Sequence, residues 1–167
     1  MGSWRTWLLT LCAVSCVFSV SDAMGPSRGG KWHVGGLTQE QLYRDYPEFA
    51  KAAERYAPKE EVVRKIKGVD QKVAILVFLG TWCPHSRTEV PKLLKVCELA
   101  ANPNLSISMF GLGPDMKDVE GLAEKYNIRR VATFLFLKEG RELGRIVEFP
   151  KKSMEEDCWG ILSGSPF

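Results

Sequence analysis

The run Val73–Leu79 (VAILVFL) is apolar at every position, and Gly80 to Leu94 follow it as GTWCPHSRTEVPKLL. A strand with one wet face alternates apolar and polar residues. Seven consecutive apolar residues rich in Val, Ile and Phe instead predict a central strand covered on both faces. Such a strand needs a layer of structure on each side, which restricts the chain to a layered α/β architecture. Pro84 then opens a helix, because its missing N–H would have no intrahelical partner in the first turn. The helix is expected to run from Pro84 to about Ala100.

Three further strands are expected. Leu105–Leu112 (LSISMFGL) alternates small and large residues, and Thr133–Leu137 and Glu142–Glu148 flank the turn-like Lys138-Glu139-Gly140-Arg141 as a hairpin. A second helix is predicted from about Met116 to Tyr126, and a last one from Ser153, where Glu156 would complete a capping box. Ahead of the first strand, residues 37–69 read as a helical N-terminal extension broken at Pro47 and Pro58. Thr38 and Gln41 have the spacing of a capping box at its start. The order βαβαββα predicts an α/β domain at 70–167, with a central mixed sheet of about four strands flanked by helices.

The N-terminus predicts the compartment. MGSWRTW carries one positive charge, LLTLCAVSCVFSV is an apolar run, and Ser21-Asp22-Ala23 places small residues where a signal peptidase cuts. Residues 1–23 are therefore expected to be a signal peptide, and the protein to be exported, periplasmic or secreted. Lipidation at Cys16 and an uncleaved anchor are the alternatives, so any membrane attachment would run through this segment. Residues 24–36 (MGPSRGGKWHVGG) are glycine-rich and without periodicity, and read as a flexible leader. A net charge of +3 without a Lys/Arg block leaves no electrostatic footprint for nucleic acid.

Cleavage at Ala23 would leave Cys83, Cys97 and Cys158, an odd number, so at least one thiol is free or pairs outside the chain. Cys83 has the chemistry for that role. It ends a buried strand and opens a helix, whose partial positive charge and unpaired N–H groups stabilise a thiolate. His85 adds a donor beside the sulfur. Ser86, one turn along, can donate to the sulfur but cannot form a disulfide. Trp82 is expected to be a packing platform. Cys97 lies about 21 Å further along the helix and cannot replace the missing partner. It reads as core filler, or as half of a structural disulfide with Cys158 if the two helices share a sheet face. His85 and Cys83 alone fall short of a closed metal site, so neither a metal nor another cofactor is expected.

At WCPHS the chain resembles the thioredoxin-like superfamily, over about residues 59–163. It most resembles small bacterial exported thioredoxin family proteins with a TWCxxS segment followed by Arg/Glu-Val-Pro. VATFLFLKEGRELGRIVEFP and SMEEDCWGIL add to the likeness. The resemblance implies a thioredoxin fold, with Cys83 as nucleophile and Ser86 where a resolving cysteine would stand. Pro84 and His85 match the dipeptide of DsbA-type oxidases. Two further departures stand out: Val77 occupies the place of a buried aspartate, and Val131-Ala132-Thr133 replaces the family's Ile/Val-Pro-Thr loop, which presents backbone to substrate. A cis bond before a non-proline residue costs about 2.5–4 kcal/mol, so the Val131–Ala132 bond is expected to be trans.

The expected function is thiol–disulfide exchange through Cys83, with protein or small-molecule thiols and disulfides as partners and an external thiol completing the cycle. A thioredoxin-fold binding module without catalysis is the alternative. A single-cysteine peroxidase and a metal or cluster site shared between two chains are weaker ones.

Overall fold

The computed structural model describes residues 32–165. Five strands and six helices follow one another as β1 (Gly35–Leu37), α1 (Gln39–Asp45), α2 (Pro47–Arg55), α3 (Glu60–Lys67), β2 (Val73–Leu79), α4 (Pro84–Ala100), β3 (Leu105–Gly111), α5 (Leu122–Lys125), β4 (Thr133–Lys138), β5 (Arg141–Val147) and α6 (Met154–Leu162). The sheet order is β1-β3-β2-β4-β5. The central β2 runs parallel to β3 and antiparallel to β4, and β4 forms the hairpin with β5. The sheet is thus mixed, as expected, but has a fifth strand.

That extra strand corrects the reading of the leader. Gly35–Leu37 pairs antiparallel with Gly111–Met109 and closes one sheet edge. Three residues are too few to show a periodicity, and two of these are glycines, so nothing local announces the strand. The approach is close: a Cβ on Gly111 would lie 2.6 Å from the His33 carbonyl oxygen. The signal peptide expected at 1–23 lies outside the described residues. Among those that are described, no helix is long and apolar enough to cross a membrane.

The alternation of β2 and β4 divides the core in two. Val73, Ile75, Val77 and Leu79 of β2 join Phe134 and Phe136 of β4 on one face. There they meet Leu42 and Phe49 of the extension, Val63 and Ile66 of α3, Val90, Leu93 and Leu94 of α4, and Met154 and Cys158 of α6. Phe78, Leu135 and Leu137 point to the opposite face, with Leu112, Ala123 and Ile128 around α5. Burying one such side chain contributes about 1.5–3 kcal/mol, so β2 gains from both of its faces.

The helix signals succeed where they rest on local chemistry. Thr38 Oγ1 accepts the Gln41 N–H at 3.1 Å and Gln41 Oε1 accepts the Thr38 N–H at 2.8 Å, a complete capping box. Pro47 begins α2, and α3 follows Pro58. At α6 the second box does not form. Ser153 is the N-cap, but its hydroxyl donates to the Glu156 carboxylate at 2.8 Å. Lys59 also binds that carboxylate at 2.9 Å, drawing it toward the extension. The helix expected over Met116–Tyr126 shrinks to the single turn of α5. Met116 is left-handed at φ 60°, and Asp118 accepts the N–H groups of Leu122 and Ala123, so the helix can start only beyond it.

The extension is built into the domain. Phe49 is fully buried in the main core, and Glu155 of α6 accepts the Tyr56 hydroxyl at 2.5 Å and the Lys59 N–H at 3.1 Å. Phe49→Ala should therefore destabilise the whole domain by about 3–5 kcal/mol. Urea denaturation followed by tryptophan fluorescence and far-UV circular dichroism should give one coincident transition. Two separated transitions would mean that the extension folds on its own.

Candidate active site

Cys83 is the N-cap of α4, with extended backbone at φ −85° and ψ 126°. Its N–H closes a tight turn onto the Gly80 carbonyl at 2.9 Å, and its own carbonyl accepts the first helical bond, from Arg87 N–H at 3.2 Å. The strand therefore delivers the cysteine to the positive end of a 17-residue helix within four residues. The residue is 6% exposed, among Phe78, Leu112 and Val131. The Sγ–H donates to the Val131 carbonyl at 3.2 Å.

That acceptor belongs to the loop expected to present backbone to a substrate. The Val131–Ala132 peptide bond is cis, not trans as the isolated-bond cost had suggested. The estimate from a free peptide omits the tertiary partners of the loop. Besides the bond to Cys83, the Ala132 carbonyl accepts the Glu148 N–H at 2.7 Å, and Thr133 Oγ1 donates to the Arg130 carbonyl at 2.7 Å. Val131, Ala132 and Thr133 are all buried.

Ser86 is fully buried, and its Oγ accepts the Gly80 N–H at 3.0 Å. The serine expected to serve the sulfur instead ties the helix back to the end of β2. Trp82 does act as a platform. Its Nε1–H donates to the Leu112 carbonyl at 3.0 Å, and its ring lies so close to Gly80 that a Cβ there would come within 2.8 Å of it. Thr81 holds two further segments: its Oγ1 accepts the His33 N–H at 3.1 Å, and its carbonyl accepts the Arg87 guanidinium at 3.0 and 3.1 Å. His33, assigned by sequence to a flexible leader, thus docks beside the active turn.

Three residues near the site carry no sequence signal of their own. Glu148, just past β5, faces His85 with Oε1 3.6 Å from Nδ1, and its Oε2 accepts Arg130 Nη1–H at 2.9 Å. Phe149 packs edge-on to the His85 ring at a centroid distance of 4.5 Å. Only the hairpin return and the β4 loop bring Arg130, Glu148 and Phe149 to the start of α4.

The other two thiols stand away from the cluster around Cys83, Cys97 toward the C-terminal end of the same helix and Cys158 on α6. Cys158 is buried in the main core and Cys97 lies at its margin. Their helices do share a face, the geometry a disulfide between them needed, yet all three described cysteines are free thiols. Burial pushes the Cys97 thiol up to about 12 from an ordinary 9.0. Burial also raises the Cys158 thiol, and the neighbouring Cys97 adds to the effect. Val77, in the place of the family's buried aspartate, is an ordinary core residue with no exposure.

These thiols make stability pH-dependent. A group whose folded pKa is raised contributes stability that is complete below its unfolded value and lost as pH rises through the folded one. Urea midpoints should therefore fall between pH 9 and 12 as unfolded Cys97 releases a proton that folded Cys97 keeps. Cys97→Ala should flatten that slope, and an unchanged slope would count against the assignment. In native protein at pH 8, peptide-resolved iodoacetamide labelling should leave Cys97 and Cys158 unmodified until denaturant is added.

A family model described as Thioredoxin matches residues 36–157, which includes the helical extension as well as the sheet. Thioredoxin H9 of Arabidopsis thaliana is 24% identical over 97 residues, covering 58% of this chain and 65% of that protein. A thioredoxin H-type of Oryza sativa subsp. indica is 30% identical over 84 residues, covering 50% and 64%. The chain thus spans just under two thirds of the length of these two relatives. Among solved structures, a protein of unknown function from Pseudomonas aeruginosa superposes with a TM-score of 0.56 at 18% identity, covering 77% of this chain and 85% of that one. An HIV epitope-scaffold superposes at 0.51 with 21% identity, covering 78% of each chain. At these identities the superpositions speak for the fold. The family match spans most of the chain and both halves of its core, and the protein belongs to the thioredoxin family.

Proposed function

We propose that the protein carries out thiol–disulfide exchange as a monothiol, through Cys83, and that an outside thiol completes each cycle. One observation carries the reading: Cys83 alone caps the helix beside the Val131–Ala132 loop, while Cys97 lies toward the other end of the same helix and Cys158 is buried in the main core. In exchange, the Cys83 sulfur attacks one sulfur of a substrate disulfide. A new S–S bond forms to Cys83, the old one breaks, and the departing sulfur leaves with the electron pair and takes up a proton. With Ser86 held by Gly80, no second thiol stands one turn along to reverse the step. The partners are then protein or small-molecule thiols and disulfides, the general class on which thioredoxins act.

The signal-like pattern of residues 1–23 supports action in an exported, oxidising compartment, where small disulfides and thiols are available. The TWCxxS segment supports placement with the exported monothiol members of the family. The thiol reading is preferred to a pure binding role because Trp82, Thr81, Ser86 and Arg87 all fix the turn that holds Cys83. A module binding through another surface would make no use of that turn.

The test is reaction of native protein with an aromatic disulfide, 5,5′-dithiobis(2-nitrobenzoate), read by peptide mass spectrometry. Cys83 should carry a stable thionitrobenzoate adduct, released by added glutathione and lost in Cys83→Ser. Loss of the adduct without added thiol, with an internal disulfide in its place, would overturn the monothiol assignment. An unreactive Cys83 would favour the binding module.

A further inference from the structure

The exchange chemistry leaves one proton to be moved. Cys83 must lose its proton before its sulfur attacks, and the departing sulfur must gain one. In the structure that first proton points at the Val131 carbonyl, which can hold it but cannot carry it away. His85 is in the same first turn, 41% exposed, and is the one imidazole of α4. Left to itself, a half-exposed histidine turns about its side-chain bonds and exchanges its two tautomers.

Here the ring is approached from outside its own helix. The Glu148 carboxylate, 23% exposed, stands 3.6 Å from Nδ1, and the Phe149 ring lies edge-on to the imidazole. The Glu148 backbone adopts φ 61°, a left-handed conformation uncommon outside glycine, which turns the chain off β5 and back toward α4. Its N–H holds the Ala132 carbonyl, next to the carbonyl that holds Cys83. Arg130 fixes the other carboxylate oxygen at 2.9 Å. Glu148 beyond β5 thus faces His85, with Arg130 of the loop before β4 on its second oxygen, and Cys83 and Arg87 share the first turn of α4 with the imidazole.

We propose that Glu148 is a positioning residue for His85. Its carboxylate selects the Nδ1–H tautomer, so that Nε2 presents a lone pair to the reacting sulfurs. This proposal rests on exchange at Cys83. The Cys83 proton passes to Nε2 as the sulfur attacks the substrate disulfide. The imidazolium then returns that proton to the departing sulfur. One S–S bond forms, one breaks, and the proton begins on Cys83 and ends on the leaving thiol with no outside reductant. A carboxylate standing beside one ring nitrogen favours a proton there, which leaves the other nitrogen free to accept.

The experiment is a double-mutant cycle on mixed-disulfide formation with the same aromatic disulfide, joined to imidazole nitrogen NMR of His85. His85→Ala should slow exchange by about 100-fold. Glu148→Ala should slow it by about tenfold, and the double variant should be no slower than His85→Ala. The neutral His85 signal should report mostly Nδ1–H in the wild type and mostly Nε2–H in Glu148→Ala. Arg130→Gln should leave the tautomer in place. Glu148→Gln preserves side-chain shape, and its circular dichroism and urea midpoint guard against a folding defect passing as a chemical one. Independent multiplication of the two rate effects, or an unchanged tautomer in Glu148→Ala, would overturn the positioning role. Those outcomes differ from failure of the exchange reading itself, in which the wild type forms no adduct at Cys83.

Discussion

The burial of β2 on both faces is the constraint on which the rest of this structure depends. Val73, Ile75, Val77 and Leu79 need one layer of helices, and Phe78 needs cover on the other side. The strand therefore cannot lie at an edge, and the chain leaving it must turn at the rim of the sheet. Gly80 allows that turn because the Trp82 ring occupies the space a side chain would take. What emerges is a cysteine at a helix N-terminus, a position at which backbone N–H groups and the helix dipole favour negative charge. The placement of Cys83 is a consequence of how the central strand is covered.

Around that point the site is held by backbone more than by side chains. The sulfur meets the Val131 carbonyl, Ser86 meets the Gly80 N–H, and Arg87 meets the Thr81 carbonyl. Backbone partners of this kind are fixed by the sheet and the helix, so the turn is stiff without a dedicated network of its own. The side-chain chemistry that remains is concentrated in His85 and the Glu148–Arg130 pair. Cys97 and Cys158 belong to the main core instead, and burial there raises both thiols above their ordinary range.

The extension gives the domain its distinctive outline. Its helices cover the face that α4 and α6 also pack against, and its start reaches round to pair with β3. His33 then binds Thr81, so the same segment that closes the sheet edge also braces the active turn. The family model takes in this region as well, in agreement with Phe49 and Leu42 being as buried as any residue of the sheet.

Much of this was readable in the sequence, where the cause is local. A continuous apolar run, a proline at a first helical turn and a Thr-x-x-Gln cap act within a few residues, and the corresponding elements appear where those residues stand. The residues of the active turn were legible for the same reason. The features that escaped depend on distant partners. Gly35–Leu37 becomes a strand only because β3 offers an edge, and the cis Val131–Ala132 bond lies in a loop whose carbonyls meet Cys83 and Glu148. Ser86 bonds Gly80 instead of the sulfur because the turn brings an unpaired N–H to it. Glu148 has no local mark at all, and it reaches His85 only after the β4–β5 hairpin has returned the chain to the start of α4. By itself the sequence determined the central strand, the helix and the thiol between them, since short-range sterics and hydrogen bonding suffice for those. Only the tertiary structure decided which groups face that thiol, because that depends on which strands become neighbours in the sheet.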